Sequence, residues 1–218
     1  MKKSILSITL ALVVSSLFAQ SEKYMKAMQE KVAAVDTTHS PAALQDLSAS
    51  FERIGDAEKT QWLPYYYAAF SEVYSGYMAA AGKMGGMSAQ LDPIADRADQ
   101  MIQKAEALSK DNSEIYVIKK MIATLRMTAD PMSRYMEYGP QAQQALDMAK
   151  KLNPQNPRVY VLEGEDKFFT PEQFGGSKTE AKVLFQEALK KYDDFKPASA
   201  IDPSWGRTTA QYFISQIQ

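Results

Sequence analysis

Cysteine is missing from the 218 residues, and histidine occurs once. Without cysteine there is no disulfide, no thiolate zinc site, no cysteine nucleophile and no lipid-bearing cysteine at a mature N-terminus. The one histidine, His39, lies in the polar stretch Asp36-Thr37-Thr38-His39-Ser40-Pro41 and reads as solvated. It leaves no Ser-His-Asp arrangement with a second candidate base. An excess of either charge is also lacking, with 25 Lys and Arg against 26 Asp and Glu. That balance gives no basic footprint for nucleic acid, and no basic amphipathic run suits an anionic membrane. At 45% hydrophobic and 23% charged, the chain is too apolar for disorder.

Residues 1–20, MKKSILSITLALVVSSLFAQ, have the three parts of a secretory signal. Lys2 and Lys3 form the positive end, Ile5 to Phe18 is apolar but short for a bilayer span, and Leu17-Phe18-Ala19 is an imperfect cleavage site. Cleavage is expected after Ala19 or Gln20. It removes two cations and no acid, which leaves the mature chain more acidic. No second hydrophobic segment follows. The expectation is one exported domain over residues 21–218, periplasmic or secreted in the Gram-negative manner, and not a lipoprotein.

Proline punctuates the remainder. Ser40-Pro41, Asp92-Pro93, Asn156-Pro157 and Asp202-Pro203 each set a capping side chain before a proline, whose fixed φ and missing N–H suit the first helical position. Thr170-Pro171-Glu172-Gln173 reads as a capping box. Helices are expected to begin near Glu22, Ser40, Thr60, Asp92, Asn112, Tyr138, Asn156, Gly176 and Asp202. Loops are expected near Ala81–Leu91, Ala129–Tyr138 and Phe169–Ser177. Ile115–Ile118 and Val159–Leu162 are short β-branched runs with no strand partner, so they read as buried helix.

Self-comparison exposes a repeat. Ala142, Leu146, Ala149 and Pro154 are spaced four, three and five apart; Ala181, Phe185, Ala188 and Ala98, Ile102, Ala105 repeat the first two spacings. A small residue admits a neighbouring helix, the large one fills the groove beside it, and the second alanine continues the stripe. This pattern resembles the tetratricopeptide repeat family, whose second helix carries Ala, a large apolar residue, Ala and then Pro. The first helix after Pro154 carries the large Tyr160 and small Gly164 where the family has them, whereas the helix from Ser113 has Tyr116 but Lys120 at the small position. Ala98, Ala142 and Ala181 follow at more than the family period of about 34. The resemblance covers residues 60–193. It implies an all-α fold of antiparallel helical hairpins stacked as a right-handed solenoid, with a capping helix from Ser204.

Signs of catalysis are thin. Asp92, Asp96 and Asp99 share a helix face but read as acids favoured by a helix N-terminus, and Glu163, Glu165 and Asp166 read as a solvated face. Gly82-Lys83-Met84-Gly85-Gly86 has no preceding strand and is a connection, not a phosphate loop. No catalytic group, metal site or cofactor is expected, and the chain is not read as an enzyme. Phe174-Gly175-Gly176 has two readings. One is a turn that tucks Phe174 against the helices. The other is the short stretch it resembles in the tetratricopeptide component of some periplasmic solute transporters.

The resemblance implies ligands along a concave surface lined by first helices. In this chain that face carries Tyr66, Phe70 and Tyr74, then Glu114, Val117, Met121 and Leu125, then Arg158, Val161, Glu165, Phe168 and Phe169. Aromatics edged by arginine suit a binding surface, although aromatic stripes also build cores. The partner- or ligand-binding candidates are Tyr66, Phe70, Tyr74, Met121, Leu125, Arg158 and Phe168. The leading reading is a non-enzymatic module or scaffold for another periplasmic or envelope protein. The alternative, from the same surface and the Phe174 loop, is a small-molecule-binding component of a solute uptake system.

Overall fold

The computed structural model describes residues 22–35, 37–83 and 85–217. The expected signal segment lies outside them. Among the described residues every regular element is a helix. They run α1 (22–35), α2 (Pro41–Glu58), α3 (Leu63–Ala80), α4 (Ser88–Leu108), α5 (Ser113–Ala129), α6 (Pro131–Leu152), α7 (Pro157–Phe169), α8 (Lys178–Asp194) and α9 (Arg207–Gln216). No helix among them is long and apolar enough to cross a membrane.

Caps explain where several helices begin. Ser40, Asn112, Asn156 and Ser177 each accept a backbone N–H of the first turn, at 3.5, 2.9, 3.1 and 3.2 Å. Asn112 and Asn156 open α5 and α7 in the same way, as a repeat demands. Three other expected starts move. Pro93 lies inside α4, which begins at Ser88, because a proline early in a helix forfeits only one carbonyl partner. The expected Ala129–Tyr138 loop is the first half of α6, opened by Pro131 after Asp130. Asp202 caps a turn instead of a helix, accepting the Ser199 N–H at 2.8 Å, and α9 starts after Gly206, which has positive φ.

Consecutive helices pack as hairpins: α2 on α3, α3 on α4, α5 on α6, α7 on α8 and α8 on α9, with α3 also against α5. The repeat residues make these contacts. Ala98, Ile102, Ala105, Ala142, Leu146, Ala149, Ala181, Phe185 and Ala188 are all buried. Gly164 shows why its position is small: a Cβ there would stand 2.6 Å from the Phe185 ring. Gly76 admits α5 to α3 in the same way, with Leu125 at 2.7 Å from the position of its missing Cβ. The core forms two clusters. One spans α1 to α6 and takes Val159, Leu162 and Ile201, and the other joins Val161 to α8 and α9.

Between α8 and α9, residues 195–206 return to α3. Ile201 is buried and its carbonyl accepts the Tyr67 hydroxyl at 3.0 Å. Trp205 stacks on Phe70 at 4.8 Å. This return segment covers the N-terminal part of α3 and leaves its C-terminal half for the site described next.

Candidate functional site

Trp62, Tyr66, Phe70 and Tyr74 recur every four residues, so α3 aligns them in one stripe. Their rings follow at 5.6, 6.5 and 5.8 Å, the last two pairs nearly parallel. Trp205 closes on this ladder from the return segment and donates its indole N–H to the Tyr66 hydroxyl at 2.9 Å. Burial pushes the Tyr66 phenol well above its ordinary pKa, and the nearby Glu114 carboxylate adds to the rise. Tyr74, at 39% exposure, is the member of the ladder most open to solvent, and Trp62 is partly exposed at the other end.

Beneath the ladder lies a polar junction. Arg158, 1% exposed, donates through Nε and a terminal nitrogen to Glu114 at 2.6–3.0 Å. Asn156 donates to Glu114 at 2.7 Å and to Ser113 at 3.0 Å, which ties the start of α7 to the start of α5. The Arg158 guanidinium lies 4.8 Å from the Phe195 ring and 5.9 Å from Trp205. Burial opposes its charge, but Glu114 more than offsets this and holds its pKa above the ordinary value. A buried pair of this kind stabilises most when its hydrogen bonds are met on both partners; here the other terminal nitrogen of Arg158 is enclosed without a hydrogen bond among the described residues.

Further along α3, α5 and α7 the surface stays partly open. Tyr77 donates its hydroxyl to the Met121 carbonyl at 2.8 Å, and Thr124 and Glu165 are partly exposed. Crowding by protein raises the Glu165 carboxyl to a pKa of about 7; the Lys120 charge opposes this rise and Asp166 reinforces it. At the far end Phe168, Phe169 and Phe213 form a cluster with ring separations of 4.9–5.4 Å. Phe213 stacks on Phe185 and meets Tyr212 edge-on. Phe169 is 68% exposed and Tyr212 59%. The Lys178 ammonium sits 5.6 Å from the Phe168 ring. The result is a band with an aromatic wall at one end, an open aromatic cluster at the other and the partly exposed Glu165 carboxyl between them.

The residues expected from sequence divide along this band. Tyr74 and Phe168 keep exposed surface. Phe70 and Met121 are 5% and 4% exposed and form its backing. Tyr66, Leu125 and Arg158 are enclosed by the protein itself. Tyr66 and Arg158 hold the polar junction, and Leu125 fills the space at Gly76. Trp205 and Phe213, which fall in the capping helix expected from Ser204, are part of the band. No local spacing announces them, because both arrive through the return of the chain.

Other expectations also resolve. Asp92 is paired with Arg134, and Asp96 and Asp99 with Arg126. They bridge α4 to α5 and α6 rather than serve a helix N-terminus. Phe174 does not tuck against the helices; it is 68% exposed. Its glycines are still required. Gly175 has φ +91°, and a Cβ on Gly176 would fall 1.7 Å from the Thr170 carbonyl oxygen.

No family model and no curated protein matches the chain. Among solved structures it is similar to the HusA haemophore from Porphyromonas gingivalis, at 30% identity and a TM-score of 0.78. The likeness covers 89% of this chain and 92% of that one.

Proposed function

The chain belongs to the family of the HusA haemophore, and from that premise we propose that it is an exported, non-enzymatic binding protein that carries haem or a similar planar macrocycle. The observation that carries this reading is the open aromatic band. Tyr74 at one end and Phe168, Phe169 and Phe213 at the other offer ring faces to a flat apolar ligand. Lys178 beside Phe168 suits a carboxylate at the ligand's edge. His39 lies between α1 and α2, not on the helices of the band, so contact rests on aromatic faces. Phe70 and Met121 back the site, while Tyr66, Leu125 and Arg158 act behind it as support. The hairpins are read as degenerate tetratricopeptide repeats, and residues 1–20 as the leader that exports them.

The test is titration of the mature protein with haem, followed by the Soret absorbance. Saturable binding is expected. Tyr74→Ala and Phe169→Ala each weaken it by roughly two- to tenfold, the worth of one aromatic contact. Lack of a saturable change with the wild type would remove the haem reading. Unchanged affinity in both variants would move the site elsewhere.

A second reading, protein docking, is favoured by one observation. Met132, Tyr135 and Met136 form an exposed stripe on the first half of α6, where nothing is buried before Ala142. Replacing Met132 and Met136 with serine is expected to leave haem titration unchanged and to abolish capture of an envelope partner. Capture that persists would sink this reading.

A further inference from the structure

Lys120 occupies the α5 position where the repeat has a small residue, and it is buried. Its ammonium lies 2.6 Å from Asp166, a residue of α7. Glu165 is the neighbour of Asp166 and lies in the open band, yet among the described residues no hydrogen bond reaches its carboxyl group. Each group facing it is already engaged or of the wrong sign. From α3 comes Tyr77, whose hydroxyl donates to the Met121 carbonyl. From α5 comes Lys120, committed to Asp166. From α7 comes Asp166 itself, an acid. Glu165 is therefore a partly exposed acid with spare hydrogen-bonding capacity, facing the open band one helical turn before Phe168.

We propose that Glu165 selects the ligand of this band by charge: as a neutral acid it donates its O–H to a carboxylate of the bound molecule, and as a carboxylate it repels that molecule. The proposal rests on the haem reading and narrows it to a planar aromatic ligand bearing carboxylates. Crowding by protein, opposed by Lys120 and reinforced by Asp166, raises the Glu165 pKa to about 7. The acid form therefore prevails in mildly acidic solution, and an anion bound beside it raises the pKa further. Affinity is level below pH 7 and falls above it, by at most about tenfold per pH unit.

The experiment titrates the mature protein with haem and with haem dimethyl ester, from about pH 5.5 to about pH 8.5. Three proteins are compared: wild type, Glu165→Gln and Asp166→Asn. At acid pH the wild type and Glu165→Gln bind haem alike. At alkaline pH the wild type weakens about tenfold or more while Glu165→Gln does not, since its amide is never charged. Asp166→Asn frees Lys120 for Glu165 and removes a neighbouring negative charge, so its loss of affinity begins at lower pH. The ester, lacking carboxylates, shows no such slope on wild-type protein, an arm that needs no variant to fold. The proposal is overturned if Glu165→Gln weakens with pH as the wild type does, or if the ester follows haem. Absence of haem binding at every pH in the wild type and Glu165→Gln overturns the parent reading, and this one with it. Binding that ignores pH overturns this one alone.

Discussion

The two ends of the aromatic band are made of the same chemistry and have opposite fates. On α3, Tyr66 and Phe70 are sealed: Trp205 stacks on one and donates a hydrogen bond to the other. On α7 and α9, Phe168, Phe169, Tyr212 and Phe213 touch one another, yet Phe169 and Tyr212 stay largely in solvent. The difference lies in residues 195–206. They leave α8, cross to α3 with Ile201 and Trp205, and then turn into α9. Aromatics beneath this segment become core, and those beyond it remain surface. An aromatic stripe is thus half of an interface, and what covers it decides whether it stabilises the fold or meets a ligand.

That contrast can be broken most severely from below. Arg158→Ala leaves the largely enclosed Glu114 without its cation, with only Asn156 and Tyr66 still donating to it, and a loss of about 3 kcal/mol in denaturant-determined stability is expected. Phe70→Ala removes the ring between Tyr66, Tyr74 and Trp205 and is expected to cost about 3–4 kcal/mol, read in the same way. Glu165→Gln is milder and depends on pH. The folded state holds the Glu165 proton more tightly than the unfolded chain, so the penalty of ionisation is absent below about pH 4.5, grows to about pH 7 and is level above. The variant should match the wild type in acid and exceed it by on the order of 2 kcal/mol in alkaline solution. Equal stability at both extremes would return Glu165 to an ordinary solvated acid. The smallest effect belongs to the open end. Phe169→Ala should change stability by no more than about 0.5 kcal/mol while it weakens haem binding. A large stability loss there would mean that the two ends are alike after all.

Position eight of the first helices offers a second contrast. Gly164 obeys the repeat because Phe185 fills the space a side chain would take. Lys120 departs from it, and in sequence it reads as a blemish in the middle unit. In the fold it is a buried cation that pairs with Asp166 and not with the neighbouring Glu165. The acids 163, 165 and 166 look alike as a solvated helix face, yet Glu163 pairs with Lys150 and Asp166 with Lys120, while among the described residues no hydrogen bond reaches Glu165. Which acid is which depends on cations from other helices, and no spacing within α7 reports them.

The sequence by itself determined the all-helical class, the hairpins and their Ala-large-Ala contacts, because these depend on neighbours three to five residues apart and on the volume of single side chains. Absence of cysteine and a lone histidine likewise bounded the chemistry without a structure. Only the tertiary structure decided which aromatics are enclosed, where Trp205 and Phe213 come to rest, and which acid of α7 takes the Lys120 ammonium. Those outcomes turn on contacts between residues far apart in the chain, such as Tyr66 with Trp205 and Lys120 with Asp166. A local period carries no record of them, because burial and charge pairing are properties of the assembled surface.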